Sequence, residues 1–286
     1  MSFYRVQSKR FFRKHKIRGF LRGNRNSNRS LIPLTNRRIA VYNIPMISFE
    51  HFEENCLRVR ERVAEACRTC GRNPDEVCIL PVTKNHPVEA PIYAAKAGFL
   101  AVGENRVRET EVKRSEFFTR SKTSLRWELI GHLQSNKARN AVRLFDRIQS
   151  VDSVSLVQKL DRLCEELARE RLPVLLQANA GNDPAKFGTG DFDSLRRLTE
   201  SAFAGTHLQV DGLMCVAPID DDSLETAKRC FETLRIWRDR LEFEFGRALP
   251  QLSMGMSHDL VPAVAAGSTM VRIGTALFGE RDYSRT

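Results

Sequence analysis

The feature that most constrains the fold is a repeated alternation of short apolar segments with longer helical ones. Eight segments rich in β-branched and apolar residues follow one another, with stretches of helical periodicity between them. The predicted strands begin at Val77, Phe99, Trp127, Arg147, Pro173, Leu208, Gln251 and Met270. Eight units in about two hundred residues favour an α/β fold, a single (β/α)8 TIM barrel rather than an open doubly wound sheet. Periodicity alone does not decide whether the barrel closes.

An extra amphipathic helix is predicted before the first strand. From Phe49 onwards apolar residues recur every three or four positions, with Ser48 placed to cap the helix and Gly71 placed to end it. Cys67 and Cys70 form a CxxC pair on the apolar stripe of this helix. Because no second CxxC or cluster of His follows, we expect both cysteines to be buried and the protein to have no metal site.

The basic residues are concentrated at the N-terminal end of the chain. Residues 1–45 hold twelve of the 46 Lys and Arg and no Asp or Glu. The rest of the chain therefore has 34 basic and 35 acidic residues, so its charges nearly balance. The net charge of +11 therefore says little about the part after residue 45. We expect two regions, a basic leader over residues 1–45 and one barrel over residues 46–286.

The basic leader has four interpretations that the sequence leaves open. It has the composition of an organelle transit peptide, and equally that of a basic arm that contacts nucleic acid. It is also compatible with a disordered tail without a partner, or with a misassigned start in which translation begins at Met46. The last two are favoured, so we expect no nucleic-acid partner unless the leader provides one.

Cysteine content and hydropathy bear on the compartment. The chain has seven cysteines, an odd number that predicts no disulfide framework and suits a reducing compartment. No apolar run is long enough to span a bilayer, and no secretory signal is recognisable. We expect a soluble, cytoplasmic protein without a membrane partner.

Polar side chains follow the predicted strands, where a barrel of this kind carries its active residues. The lysine after the first strand, Lys84, attracts most interest, because desolvation can lower the pKa of an amine enough for it to form a Schiff base. Alone, it is better interpreted as a lysine extending to solvent. The candidate residues after later strands are Asn105, His132, Asn179 and Ser257, and Arg272, Gly274 and Thr275 close the eighth.

The loops after the seventh and eighth strands have the small residues of a phosphate site. Backbone N–H groups and the hydroxyls of Ser257 and Thr275 could bind a phosphate there, although such residues are also common in plain turns. Together with Lys84 across the barrel, they match a phosphorylated aldehyde cofactor.

These residues lie in segments that resemble the pyridoxal 5′-phosphate (PLP) homeostasis protein family, whose barrel is shared with the N-terminal domain of alanine racemase. The matching segments are "LPVTK", "GENRVRE", "WELIGHLQSNK", "NAGNDPAKFG", "DGLM", "LSMGMSHDL" and "AAGSTMVRIGTALFGERDY". These segments follow the family's order from Leu80 to Tyr283, and the resemblance covers essentially residues 46–286, so only the basic leader lies outside it.

The resemblance implies a role for each matching residue. Lys84 would hold PLP as an internal aldimine, and Asn105 would lie near the cofactor ring. Ser257, Gly274 and Thr275 would contact the phosphate, and Arg272 would face the pyridine nitrogen. Asp183 stands where the family usually has Glu, a change that could alter affinity without preventing binding. PLP-dependent apoenzymes are the further partners implied, and we expect a monomer.

The same resemblance favours a carrier of PLP over a catalyst, with no catalytic residues assigned. Resembling racemases supply a second base as a tyrosine from an additional domain. The four tyrosines here, Tyr4, Tyr42, Tyr93 and Tyr283, are not placed for that role. Cys215 is either a substitute base or a small buried residue, and His132 is either a polar group beside the cofactor or a loop residue that bonds the backbone.

The runner-up hypothesis, a PLP-dependent amino-acid racemase, has a direct test. We expect purified protein to interconvert the alanine enantiomers no faster than free PLP does, because a second acid/base group is missing. Chiral chromatography of alanine incubated with protein and PLP would measure the rate. Turnover above the free-PLP control would support the racemase instead.

Overall fold

The described part of the chain, residues 46–218 and 224–279 of a computed structural model, contains eight parallel β-strands in one sheet. The strands are β1 (Cys78–Pro81), β2 (Ala101–Glu104), β3 (Arg126–Leu129), β4 (Arg147–Val151), β5 (Leu172–Gln177), β6 (Leu208–Met214), β7 (Gln251–Ser253) and β8 (Met270–Ile273). Their order is β1-β8-β7-β6-β5-β4-β3-β2, so each strand from β2 to β7 pairs with the next in sequence, and β8 pairs with β1.

The two remaining edges, β1 and β2, meet at a narrow seam. Val82 and Gly103 form a single parallel bridge, and the Thr83 N–H donates to the Gly103 carbonyl at 3.0 Å. A Cβ atom at Gly103 would lie only 3.1 Å from the Ile130 side chain and 3.3 Å from the Leu80 side chain, so these side chains pack closely against the Gly103 backbone. The sheet is thus a nearly closed barrel, and the predicted (β/α)8 TIM fold is confirmed.

Nine α-helices occur in the same described residues, one before the barrel and the others between or after its strands. They are α1 (Phe49–Thr69), α2 (Glu89–Lys96), α3 (Val107–Arg120), α4 (Ala138–Leu144), α5 (Val154–Glu166), α6 (Phe192–Ala204), α7 (Glu225–Phe245), α8 (Leu260–Ala265) and α9 (Thr275–Phe278). The predicted leader over residues 1–45 lies outside the described residues.

The predicted extra helix is α1, which packs over the β1 and β8 side of the barrel. The Ser48 side chain caps it by accepting from the His51 N–H, and Phe52 stacks on Phe278 of α9 with ring centroids 5.0 Å apart. Burying a side chain such as Phe52 stabilises the fold by about 1.5–3 kcal/mol. Cys67 is buried as predicted, but the prediction is wrong for Cys70, an exposed residue that lies beyond the last helical turn.

The main core lies between the barrel and its surrounding helices. Trp127 on β3 is fully buried and meets the Phe117 ring of α3 edge-on, with centroids 5.8 Å apart. Leu160 of α5 and Leu198 of α6 continue the same apolar layer. None of the helices in the described ranges is both long and apolar enough to cross a membrane.

Substituting Gly212 should be among the most damaging single-methyl changes in the barrel. Gly212 lies where β6 pairs with β7, and a Cβ atom there would overlap the backbone carbonyl of Gln251. We expect Gly212→Ala to lower the free energy of unfolding by about 3 kcal/mol, because backbone must shift to relieve the overlap. Urea unfolding followed by circular dichroism would measure the change.

Gly246→Ala is the matched control. Gly246 ends α7 in the left-handed region, at φ 61°, and a Cβ atom added there would meet no described neighbour within 4 Å. Only backbone strain opposes alanine at this position, at about 1 kcal/mol. Equal losses for the two variants would contradict the overlap at Gly212.

Candidate functional site

The carboxyl ends of the parallel strands meet at one mouth of the barrel, where the predicted site residues gather. Lys84 lies two residues beyond the Val82–Gly103 bridge and is half-buried. Asn105 follows β2 directly and is also half-buried. Its backbone packs against Gly131, where a Cβ atom would overlap Asn105. The first three strand ends therefore lie close together at this mouth.

Arg272 lies in the barrel interior with only 4% of its surface exposed. Its guanidinium donates to the Ser253 hydroxyl at 2.8 Å and to the Cys215 carbonyl at 2.7 Å, joining β8 to the ends of β7 and β6. Burial lowers the pKa of Arg272, while the negative charge of the buried Asp259 acts in the opposite direction. A guanidinium nevertheless keeps its proton in proteins, so a fixed positive charge faces this part of the barrel.

The buried guanidinium continues into a chain of polar side chains through the barrel. The Ser253 hydroxyl donates to Gln149 Oε1 at 2.6 Å, and Gln149 Nε2 donates to Glu128 at 2.6 Å. Arg147, at the start of β4, lies 3.7 Å from that same Glu128 carboxylate. A buried cation at one end of the barrel is thus connected to an ion pair at the other.

The loops after β7 and β8, where the sequence predicts a phosphate site, contact each other. The Ser257 hydroxyl accepts from the Ala276 N–H at 3.3 Å, which joins the first loop to the second. Gly274 immediately precedes α9, and Thr275 is its exposed first residue. Gly255 turns the first loop with φ 94°, and a Cβ atom there would lie 2.5 Å from the Ala263 methyl group. The small residues here are a packing requirement as well as a potential cradle.

His132 makes two contacts above the mouth. Its Nδ1 lies 3.1 Å from an Asp152 carboxylate oxygen, and its ring stacks on Phe187 with centroids 3.8 Å apart. The interpretation of His132 as a residue that bonds the backbone is therefore wrong, because its partner is a side chain. The stack joins the loop after β3 to the loop after β5.

Asn179 stabilises its own loop. Its side-chain amide donates to the Asp183 carbonyl at 2.8 Å and accepts from the Asp183 N–H at 3.1 Å. The Asp183 carboxylate in turn accepts from the Ala185 N–H at 2.9 Å. These local bonds give the loop after β5 a defined shape, which explains a polar residue at this strand end without a ligand.

The structure also contains site residues that the sequence did not suggest. Glu104, the last residue of β2, is fully buried and bonds the Thr83 hydroxyl at 2.6 Å. Lys113 of α3 is 6% exposed and lies 2.6 Å from the same carboxylate. The one signal available was an acidic residue ending an otherwise apolar strand in "FLAVGE", with a lysine nine residues later.

Cys215 is fully buried, which agrees with the second of its two interpretations. Its sulfur lies 3.9 Å from the Cys230 sulfur. This contact and burial raise the pKa of the Cys215 thiol well above its ordinary value. A thiol that keeps its proton at neutral pH is a poor general base.

The family described as "Alanine racemase, N-terminal domain" matches residues 47–282. The curated pyridoxal phosphate homeostasis protein of Vibrio alginolyticus is 36% identical over 234 residues, covering 81% of this chain and 98% of that protein. The protein of the same name from Escherichia coli K12 is 35% identical over 235 residues, covering 81% and 97%. This chain belongs to the family of alanine racemase N-terminal-domain barrels and, within it, to the pyridoxal phosphate homeostasis proteins.

Solved structures agree with the fold. PipY of Synechococcus elongatus, determined with PLP bound, is 37% identical with a TM-score of 0.66, covering 76% of this chain and 100% of that one. An alanine racemase from Clostridium difficile has a TM-score of 0.67 at 15% identity, covering 84% of this chain and 60% of that one. The second likeness concerns the fold alone.

The cysteines should differ sharply in reactivity. At about pH 8, iodoacetamide should modify the exposed Cys70 and leave Cys215 unmodified, because only thiolates react and burial keeps Cys215 protonated. Peptide mass spectrometry of native protein would locate the label, with urea-unfolded protein as the control in which both react. Labelling of Cys215 in the native state would reopen its role as a base.

Proposed function

We propose that this protein binds PLP as a Schiff base on Lys84 and serves PLP homeostasis by holding the reactive aldehyde. The observation that carries the proposal is the buried Arg272 guanidinium in the same barrel whose mouth bears Lys84. A lysine on one side and small-residue loops on the other fit a flat phosphorylated aldehyde. The PLP-bound structure of PipY, a 37% identical relative, adds support.

The cofactor-binding roles are divided among five further residues. Ser257, Gly274 and Thr275 would contact the phosphate from the two loops joined by the Ser257–Ala276 bond. Arg272 would face the pyridine nitrogen, and Asn105 would lie beside the ring from the end of β2. PLP itself would supply the aldehyde that reacts with the Lys84 amine.

Arg272 bears on whether the bound cofactor is active. A guanidinium that stays protonated next to the pyridine nitrogen disfavours protonation of that nitrogen, which weakens the ring as an electron sink. The guanidinium of Arg272 is held by its bonds to Ser253 and Cys215, and moving it would break both of these buried hydrogen bonds. This effect alone does not separate a carrier from an enzyme.

A second acid/base group near the cofactor is the feature that would distinguish a racemase from a carrier. Tyr93, the tyrosine within the described residues, lies on α2 and packs against Phe49 and Phe52 of α1, away from the strand ends. Cys215 is protonated at neutral pH by the argument above. The relatives are named as homeostasis proteins rather than enzymes. We therefore favour a non-catalytic carrier whose partners are PLP and the PLP-dependent apoenzymes that receive it.

The proposal extends to the oligomeric state and the cellular location of the protein. We propose a monomer, since one barrel mouth contains all the residues assigned to the cofactor. All seven cysteines are free thiols in the structure, which suits the reducing cytoplasm.

The absorbance spectrum of purified protein tests the role of Lys84. With added PLP, the wild type should show a visible band that borohydride removes, leaving a stable adduct that peptide mass spectrometry locates at Lys84. Lys84→Ala should show no such band, because the amine is gone. Lys96→Ala, at an exposed lysine of α2, is the matched control and should behave as wild type.

Two outcomes would contradict the proposal. If the wild type gives no adduct even with excess PLP, the barrel does not bind the cofactor covalently. If the adduct forms equally in Lys84→Ala and maps to another lysine, the assignment of Lys84 is wrong.

A further inference from the structure

A buried network of charged side chains adjoins Lys84. The Lys113 ammonium donates to three oxygen atoms, the Thr83 carbonyl at 2.8 Å, Glu104 Oε1 at 2.6 Å and Glu109 Oε1 at 3.1 Å. An ammonium has three N–H donors, so all of them have protein acceptors. The Glu104 carboxyl is fully buried, and burial raises its pKa despite the nearby Lys113 charge.

This network holds the backbone on both sides of Lys84. Before the lysine, the Thr83 carbonyl accepts from Lys113, and the Thr83 hydroxyl donates to Glu104. After it, the Asn85 N–H donates to Glu109 Oε1 at 2.7 Å. Since both flanking residues are bonded to the same cluster, the direction in which the Lys84 side chain leaves the backbone is fixed.

Stability alone does not readily explain this buried cluster of charged side chains. Buried ion pairs are often no more stabilising than apolar side chains of similar volume. Asn85 has φ 59°, a left-handed conformation that asparagine adopts more readily than other residues with a side chain. The Glu109 bond to the Asn85 N–H stabilises this conformation. Buried charged groups that bond both neighbours of Lys84 favour a role in orienting the residue between them.

We propose that Glu104, Glu109 and Lys113 are positioning residues that orient the Lys84 amine for its reaction with an aldehyde, an inference that rests on the proposed function. In that reaction the Lys84 nitrogen forms a C=N bond with the aldehyde carbon. The aldehyde oxygen leaves as water with the two amine protons. Such a step is sensitive to small errors in the placement of the nucleophile. Phosphate binding would depend on the loops after β7 and β8, which do not belong to this cluster.

Substitutions at Glu109 test separately the length of its side chain and its negative charge. Glu109→Ala removes the acceptor for the Asn85 N–H, and Glu109→Asp keeps the charge but withdraws it by one methylene. Both should slow adduct formation with PLP, Glu109→Ala by about tenfold, because the Asn85 N–H loses its charge-assisted hydrogen bond and Lys113 loses one of its three acceptors. Glu109→Gln keeps an oxygen within reach and should stay within about threefold of wild type. Glu111→Ala, exposed on the same helix, is the matched control.

Two readouts distinguish orientation from general damage. Stopped-flow absorbance gives the rate of adduct formation, and visible circular dichroism reports how firmly the bound chromophore is oriented. Calorimetry with pyridoxine 5′-phosphate, which has an alcohol in place of the aldehyde, measures binding without the covalent step. The proposal expects unchanged affinity for this alcohol in all variants, with slower adduct formation in the alanine and aspartate variants only.

The outcomes are distinct from those of the proposed function. If wild type forms no adduct at Lys84, the proposed function itself is wrong. If wild type reacts and Glu109→Ala and Glu109→Asp react at the same rate, the positioning role is wrong. Should Glu109→Ala fail to fold, the comparison of Glu109→Asp with Glu109→Gln decides, and an aspartate variant as fast as glutamine overturns the inference.

Discussion

The seam between β1 and β2 is the constraint on which the rest of the structure depends. Seven strand pairs lie within the sheet, whereas β1 and β2 are joined by an isolated bridge between Val82 and Gly103. The bond from Thr83 to Glu104 crosses the same seam one residue further along. Lys84 follows immediately, so the contacts that close the barrel also position the proposed cofactor lysine. A looser seam would move the amine relative to the loops opposite.

Much of this architecture could be predicted because it follows from local pattern. β4 begins at Arg147 as predicted, and α1 is capped at Ser48, since strand and helix periodicities are properties of short segments. Once the strands are parallel, topology brings Lys84 and the Ser257 loop to one mouth without further information. The assignment of individual contacts to PLP, by contrast, came from family resemblance and remains a prediction.

The remaining features depend on partners that are distant in sequence or set by loop geometry. Lys113 was not recognised because its partners come from three elements, and a helical lysine is ordinarily exposed. Cys70 fits the apolar stripe of α1, yet it falls past the helix end, where the stripe no longer faces the core. His132 took a carboxylate partner from the loop after β4, and no spacing in the sequence relates those two loops.

The chain from Arg272 through Ser253 and Gln149 to Glu128 has a direction, because each group donates to the next. A directed chain links the charge state of one mouth of the barrel to that of the other. With a neutral residue in place of Arg272, the Ser253 hydroxyl and the Gln149 amide would still point towards the Glu128 carboxylate. The cation that now donates to Ser253 would be missing. Sequence change at the two ends of this barrel should therefore be correlated. We expect the tolerance of the mouth to mutation to depend partly on residues at the far end of the barrel.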